Sequence, residues 1–396
     1  MEDTIECGVL VVGLGPSGAS ALRKAVEQGV SAIGIDKRKK VGWPTKRYGR
    51  QKISQCAEGV GKRRFWELVE YALPEECIAC EFEELQLISP DGTNINININ
   101  EDGGGLVLNR MFFDGFLVKQ AEKAGARIWS GTKAVGLKLH KNRIEVIVSD
   151  KNHCPYSIYC KVLIAADGTN SKIGKLVRID AELDDSDVMI CYQYLLFDSC
   201  FVGNKFAKLF FGNEFAPGGY GWAFPKSGST ANVGIGIPLE YMWHSGISPK
   251  IYLDKFVKRY FPEARILGKT GGKVPTGLIK NHYLSLDSGR GGIVVVGDAG
   301  RFANPLTGGG ILNAIETGEI AGNIAAEVVR GEASIEEYES RIAGIVERIR
   351  RYYDYKKAFC GLSDGEMNAM AEGLKIIFKE GIPNIPNLDE MMVYFT

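Results

Sequence analysis

Gly13, Gly15 and Gly18 stand in GxGxxG spacing around Pro16 and Ser17, and Asp36 follows about 20 residues later. Such glycines do their chemistry through the backbone. The first makes a tight turn, the second lets the main chain approach a pyrophosphate, and the third lets a helix pack close to a strand. A helix opening at this point offers free N–H groups and its positive dipole end to phosphates. Asp36, with Lys37 beside it, can accept hydrogen bonds from ribose hydroxyls. A second set of residues suits a different task. In "PGGYGWAFPKSGSTANVGIG", Pro217 to Gly236, the rings of Tyr220, Trp222 and Phe224 recur at every second position. On a strand all three share one face. An aromatic wall of this kind suits a flat or greasy partner, and its alternative use is a sheet face packed on a helix.

The elements around these residues follow from pattern. The apolar run Val9 to Val12 precedes the glycines, a helix follows them, and "AIGID" forms a second strand ending in Asp36. Strand, turn, helix and strand in that order make the fingerprint a nucleotide site. "KVLIAADGTNSKIGKLV" repeats the logic, with a strand, then Asp167-Gly168, then a capped helix. "GGIVVVGDAGRFANPLTGGGILNA" supplies another buried strand, then Gly297-Asp298. After Pro305 come Gly308, Gly309 and Gly310, and a long helix from about Ile311. Elsewhere the chain is strand-rich. "EFEELQLISPDGTNINININEDGGG" has an Asp91-Gly92 turn and then alternating Asn and Ile, which puts Ile95, Ile97 and Ile99 on one face. Asparagine is a poor strand former, so this strand is expected at a sheet edge. Beyond Gly331 the apolar spacing turns helical, with Ser363 as the N-cap of a second tail helix. The expected class is α/β. A discontinuous nucleotide domain takes residues 1–72, 106–180 and 281–331. An antiparallel-sheet domain takes 73–105 and 181–280, and a helical region takes 332–396.

Composition narrows the partners. Lysine plus arginine equals aspartate plus glutamate, 48 each over 396 residues, which argues against nucleic acid. There is no apolar run of about 18 residues and no basic, cleavable leader, so a cytoplasmic protein is expected, with peripheral membrane contact left open. Nine cysteines are scattered through the chain; Cys77 and Cys80 form a lone CxxC without further ligands at short spacing, so no metal is expected.

The three motif segments together resemble the flavoproteins of the p-hydroxybenzoate hydroxylase fold. The resemblance implies a Rossmann-like FAD-binding domain with a strand-rich substrate or cap domain, and a helical tail here. Each of the three segments would then contact FAD. Asp298 would hold a ribityl hydroxyl, and the bare N–H groups before the Ile311 helix would face the flavin's polar edge. Arg110 in "LVLNRMFFDG" fits the family arginine that opens a helix and reaches the cofactor. Lys37, Cys56, Ala57 and Ala134 are carried toward the cofactor by the same resemblance. No second GxGxxG follows the first, so no separate NAD(P)H domain is expected.

Within that fold, the aromatic segment and "NPLTGGGILNA" resemble the geranylgeranyl reductases, including archaeal enzymes that saturate digeranylgeranylglycerophospholipids. There, the segment lines the substrate cavity, which here implicates Pro217, Tyr220, Trp222 and Phe224. The family also carries Cys-Gly-Glu-Gly; here Cys56, Ala57, Glu58 and Gly59 put alanine where glycine is usual. The preceding loop is longer and basic, with Lys46, Arg47, Arg50 and Lys52, and reads either as a solvated loop or as a phosphate contact. The implied reaction is hydrogenation of an isoprenoid double bond in a prenyl lipid or prenyl diphosphate, with hydride from flavin N5 and electrons from ferredoxin or an NAD(P)H-linked donor. Cys56 and Tyr220 are the candidate proton donors, beside reduced flavin and water. Two rival readings are a monooxygenase or halogenase on the same fold, and a non-catalytic isoprenoid carrier.

Overall fold

The computed structural model describes residues 5–44, 49–100, 103–150, 155–179, 183–203 and 205–380, with side chains as far as 375. Lys46 and Arg47 lie outside these residues.

The first sheet is built on parallel strands. Ile5–Val12 lies between Tyr156–Ala165 and Ala32–Asp36, with Gly291–Val295 beyond the former and Arg127–Ser130 beyond the latter. Tyr283–Leu286 closes one edge antiparallel, and the hairpin Lys133–Leu139 with Ile144–Ser149 pairs onto Tyr156–Ala165. The inner strands read as continuous apolar runs because both faces are covered. Helices Pro16–Glu27, Arg110–Lys123 and Ile311–Arg330 pack on one face, and the hairpin covers the other. Register then aligns the chemistry. Val12 pairs with both Ile35 and Ala165, and Ala165 pairs with Val295. Gly13, Asp36, Asp167 and Asp298 therefore follow the carboxyl ends of four neighbouring strands, where open α/β sheets bind ligands.

The second sheet has seven strands in the order Arg265–Pro275, Val188–Phe197, Thr230–Pro238, Tyr220–Pro225, Phe206–Phe210, Glu84–Ile88 and Asn94–Asn98. The asparagine strand is at the edge, with Ile95, Ile97 and Ile99 buried and its asparagines exposed. Helix Pro249–Tyr260 packs on one face through Phe256 and Leu253; the opposite face carries Trp222, Leu85 and Leu209. Gly59–Gly61, Gly105–Leu108 and Ile78–Phe82 make a small third sheet. Helices Glu337–Arg341, Ala343–Cys360 and Asp364–Glu380 are the last described elements, the final one opened by Ser363. Ser363 and Glu366 bond each other's backbone N–H groups, a reciprocal cap. Among the described residues no helix is long and apolar enough to cross a membrane.

Candidate active site

A cavity of 930 Å³ opens where the strand ends of the first sheet meet the Trp222 face of the second. From the first sheet it is lined by Gly13, Gly15, Pro16, Ser17, Asp36, Lys37, Ala134, Asp167, Gly168, Asp298, Gly308, Gly309, Gly310 and Ile311. Cys56, Ala57, Arg110, Tyr220, Trp222 and Phe224 line it too.

Three expected site residues do not line it. Gly18 is buried, and a Cβ there would lie 1.8 Å from the Gly13 carbonyl oxygen, so its task is packing the helix onto the turn. Pro305 is buried in a turn closed by Asn304, whose side-chain oxygen accepts the N–H groups of Leu306 and Thr307 (2.9 and 3.2 Å). Pro217 precedes the aromatic strand in a turn whose Phe215 and Ala216 belong to the core on the helix-covered face.

The nucleotide end fits an anionic ligand. Helix Pro16–Glu27 begins at Gly15 without a side-chain cap, and helix Ile311–Arg330 begins at Gly310 in the same way. Their first N–H groups and positive dipole ends are available to a bound group. A Cβ on Gly15 would have no protein atom within 4 Å. The short helix Lys172–Leu176, by contrast, is capped by Ser171, and one Asp167 oxygen accepts the N–H groups of Lys172 and Ile173 (2.7 and 3.2 Å). The other Asp167 oxygen is buried without a hydrogen-bond partner. A buried acceptor of this kind calls for a donor such as a ligand hydroxyl.

Asp36 has a partner the sequence did not reveal. Its carboxylate takes the Leu14 N–H (3.0 Å), the Arg38 N–H (2.7 Å) and two guanidinium bonds from Arg38 (both 3.0 Å). Burial pushes this carboxyl up, but Arg38 holds it below its usual range. Asp298 has weaker support. Burial raises it, while the Thr169 hydroxyl (3.1 Å) and Arg110 oppose the rise. Arg110 opens its helix as expected, and its guanidinium grips Asp114 (2.5 and 2.9 Å) at the cavity wall.

The other end is aromatic and thiol-bearing. Cross-strand register places Cys191, Gly236 and Tyr220 in one row, and Gln193, Gly234 and Trp222 in the next. The glycines make room: a Cβ on Gly234 would lie 2.3 Å from the indole. Trp222 is 4% exposed, so its ring is at once core and cavity wall. Its N–H donates to Asn232 (3.1 Å), and the Asn232 amide donates to the Cys56 carbonyl (3.0 Å). Gln193 donates to the same carbonyl (3.0 Å) and to that of Ser54 (2.9 Å). Glu58, at φ 73, occupies the left-handed region that most side chains avoid. Ser54 (2.8 Å) and the Arg110 N–H (3.0 Å) bind one of its oxygens, and the Lys226 ammonium binds the other. Lys226, directly after the aromatic strand, thus anchors the Cys56 loop. Burial raises the Cys56 and Tyr220 pKa values, so both groups carry their protons. The Tyr220 hydroxyl donates to the Thr307 carbonyl.

Arg38, Cys191, Gln193, Asn232 and Lys226 were not singled out from sequence. Gln193 and Asn232 carry a faint signal, since both are polar residues inside otherwise apolar strands. The basic loop is only partly solvent-facing: Gly49 bridges Gly268 and the Gln51 N–H donates to Leu267 (2.9 Å), covering the edge of the second sheet. Arg50 and Lys52 are exposed.

Residues 187–274 match the family model described as the geranylgeranyl reductase catalytic domain, and residues 106–215 match an FAD binding domain. The digeranylgeranylglycerophospholipid reductase of Methanocella arvoryzae is 36% identical over 393 residues, covering 95% of this chain and 93% of that protein. The enzyme of the same name from Methanothrix thermoacetophila is 36% identical over 380 residues, covering 94% and 92%. A solved geranylgeranyl bacteriochlorophyll reductase-like protein from Thermoplasma acidophilum superposes with a TM-score of 0.84 at 28% identity, over 94% of this chain and 92% of that one. The p-nitrophenol 4-monooxygenase of Pseudomonas putida shares the fold, with a TM-score of 0.73 at 16% identity over 94% and 93%.

Proposed function

This chain belongs to the digeranylgeranylglycerophospholipid reductase family, and from that premise we propose that it hydrogenates geranylgeranyl double bonds of prenyl lipids with FAD as its cofactor. The observation that carries this reading is the sharing of one cavity by the strand-end nucleotide motifs and the aromatic row Tyr220, Trp222 and Phe224.

Reduced FAD, when bound, supplies the hydride. The bare N-termini of the Pro16 and Ile311 helices would hold its anionic and polar edges, and Asp36, Asp167 and Asp298 its hydroxyls. Protonation of the less substituted carbon of a trisubstituted alkene puts positive charge on the more substituted carbon, and the hydride neutralises that charge as it arrives. The faces of Trp222, Tyr220 and Phe224 stabilise such charge and exclude the water that would trap it. A proton must reach the same alkene. Tyr220 commits its hydroxyl hydrogen to Thr307, whereas the Cys56 sulfur accepts the Glu58 N–H (3.3 Å) and keeps its own hydrogen for the cavity. Cys56 is therefore the favoured protein donor, held in place by Gln193 and Asn232.

We infer an electron donor of the ferredoxin or NAD(P)H-linked kind. A lipid substrate also implies peripheral contact with a membrane surface. The test is stopped-flow mixing of anaerobic, dithionite-reduced protein with geranylgeranyl lipid. The reading expects flavin oxidation at a rate that depends on the lipid. Oxygen-dependent NAD(P)H consumption stimulated by an aromatic compound, without anaerobic turnover, would replace it with monooxygenation. Lipid binding without flavin oxidation would replace it with a carrier role.

A further inference from the structure

The chain crosses between the two large sheets twice at one place. It enters the seven-stranded sheet after Asp185–Asp187 and leaves it at Thr276. The Thr276 N–H donates to the Asp187 carbonyl (2.8 Å), so the two crossings run side by side. At Gly277 a Cβ would lie 2.6 Å from the Asp187 carboxylate, an approach only glycine permits.

Helix Ala343–Cys360 spans both sheets at this point. Its first half packs Ile345 and Ile349 into the core of the parallel sheet. Its end reaches the other sheet, where the rings of Phe359 and Phe211 meet at 5.6 Å. There the Cys360 thiol donates to the Gly218 carbonyl (3.1 Å), and the Tyr241 hydroxyl donates to the Cys360 carbonyl (2.6 Å). Between these two attachments lies Lys356, only 5% exposed. Its ammonium donates to the Ser186 carbonyl (2.5 Å), the Thr276 hydroxyl (3.1 Å) and the Thr276 carbonyl (3.4 Å), and lies 3.5 Å from the Asp187 carboxylate. Asp187 is also close enough to Tyr353, one turn earlier, to push its hydroxyl pKa up beyond the effect of burial.

Every one of these acceptors belongs to a crossing. Apolar contacts would suffice to dock the helix, and burying an ammonium carries a desolvation penalty. The arrangement makes sense if the bond to both crossings matters. The coupling to the site is short: Met189 and Val274, two residues inward from Asp187 and Thr276, line the cavity.

We propose that Lys356 is a positioning residue: by tying both crossings to the C-terminal helix, it sets where the aromatic wall stands relative to the triple-glycine loop. The inference rests on the prenyl reduction proposed above. Without the lysine each sheet keeps its own core, but the wall can rock against the nucleotide motifs. Reaction geometry is steep in distance, and a misplacement of about 1 Å costs roughly a hundredfold.

The test is Lys356→Met in the full, FAD-loaded protein. The expected result is lipid-driven flavin oxidation slowed about tenfold or more at saturating lipid. FAD affinity and oxidation by ferricyanide, which needs no alignment with the wall, stay normal. Hydrogen exchange at residues 184–188 and 275–278 becomes faster, reporting the freed crossings. Thr276→Val, which removes one acceptor, should give the same pattern more weakly. A folded Lys356→Met that oxidises with lipid at the normal rate overturns the proposal. If Lys356→Met does not fold, Thr276→Val decides by the same comparison. If wild-type protein itself ignores the lipid, the functional reading fails separately. In that case exchange still decides: faster exchange at the crossings supports the tie, and unchanged exchange overturns it.

Discussion

The indole N–H of Trp222 donates to the side-chain oxygen of Asn232 at 3.1 Å, and through Asn232 the aromatic wall is bonded to the backbone of Cys56. One side chain therefore links the ring to the backbone that carries the thiol. Trp222→Ala should remove both the buried packing and the ring face. The packing loss is about 3–5 kcal/mol. The loss of a desolvated cation-stabilising face is about 2 kcal/mol, and loosened geometry adds to it. Folded, FAD-bound Trp222→Ala should thus oxidise with lipid on the order of a hundredfold more slowly. Trp222→Phe should keep much of the rate. A destabilised Trp222→Ala with normal single-turnover kinetics would assign the ring to the core alone.

Gly15 and Gly18 separate binding from folding. A Cβ at Gly15 meets no protein atom within 4 Å, and the backbone there is permissive (φ -68). Gly15→Val should fold with an unchanged FAD-free melting temperature and fail to retain FAD, because the side chain occupies the pyrophosphate's approach. Gly18→Val should instead fail to fold well, with its Cβ driven onto the Gly13 carbonyl. Stoichiometric FAD in purified Gly15→Val would show that the phosphates lie elsewhere.

The nucleotide end was legible in the sequence because its signals are local. A GxGxxG, a DG and a GD each sit at the end of an apolar run, and parallel strands bring such ends together. The aromatic face was legible for the same reason, since alternation within one strand places Tyr220, Trp222 and Phe224. Cys191 and Gln193 were not legible. Their neighbours in the site are reached across strands, and the register that sets Cys191 beside Gly236 leaves no trace in either segment. Arg38 and Lys226 were hidden differently: charged residues after a strand usually face solvent, and their buried partners are visible only in three dimensions.

Asp298 should cost the FAD-free fold some stability. Burial raises its carboxyl above the ordinary 3.8. The protonated form thus favours folding fully below that value, and this contribution is lost as pH rises through the higher folded value. At neutral pH the ionised group is destabilising. Asp298→Asn should raise the melting temperature of FAD-free protein at pH 7 while changing it little in acid. FAD affinity should fall by roughly tenfold or more, matching a lost charge-assisted hydrogen bond of about 1.5–3 kcal/mol. A lower FAD-free melting temperature with unchanged FAD affinity would make Asp298 a structural cap.

Lys226 and Glu58 form a buried pair, with side chains 16% and 3% exposed. Lys226→Met leaves Glu58 charged and partly unpaired, and should destabilise by about 3–5 kcal/mol. Adding Glu58→Gln should recover much of that loss, so denaturant melts of the two single variants and the double variant should be clearly non-additive. Additive losses would show that the pair does not hold the Cys56 loop.

The central claim is that this cavity hydrogenates prenyl chains. Its most direct measurement is mass spectrometry of geranylgeranyl lipid after anaerobic incubation with the dithionite-reduced protein, beside a control lacking protein. The account predicts product masses rising in steps of two daltons, each step one saturated double bond, with the steps strongly reduced in Trp222→Ala. Lipid recovered at its starting mass from FAD-replete, fully reduced protein would contradict it.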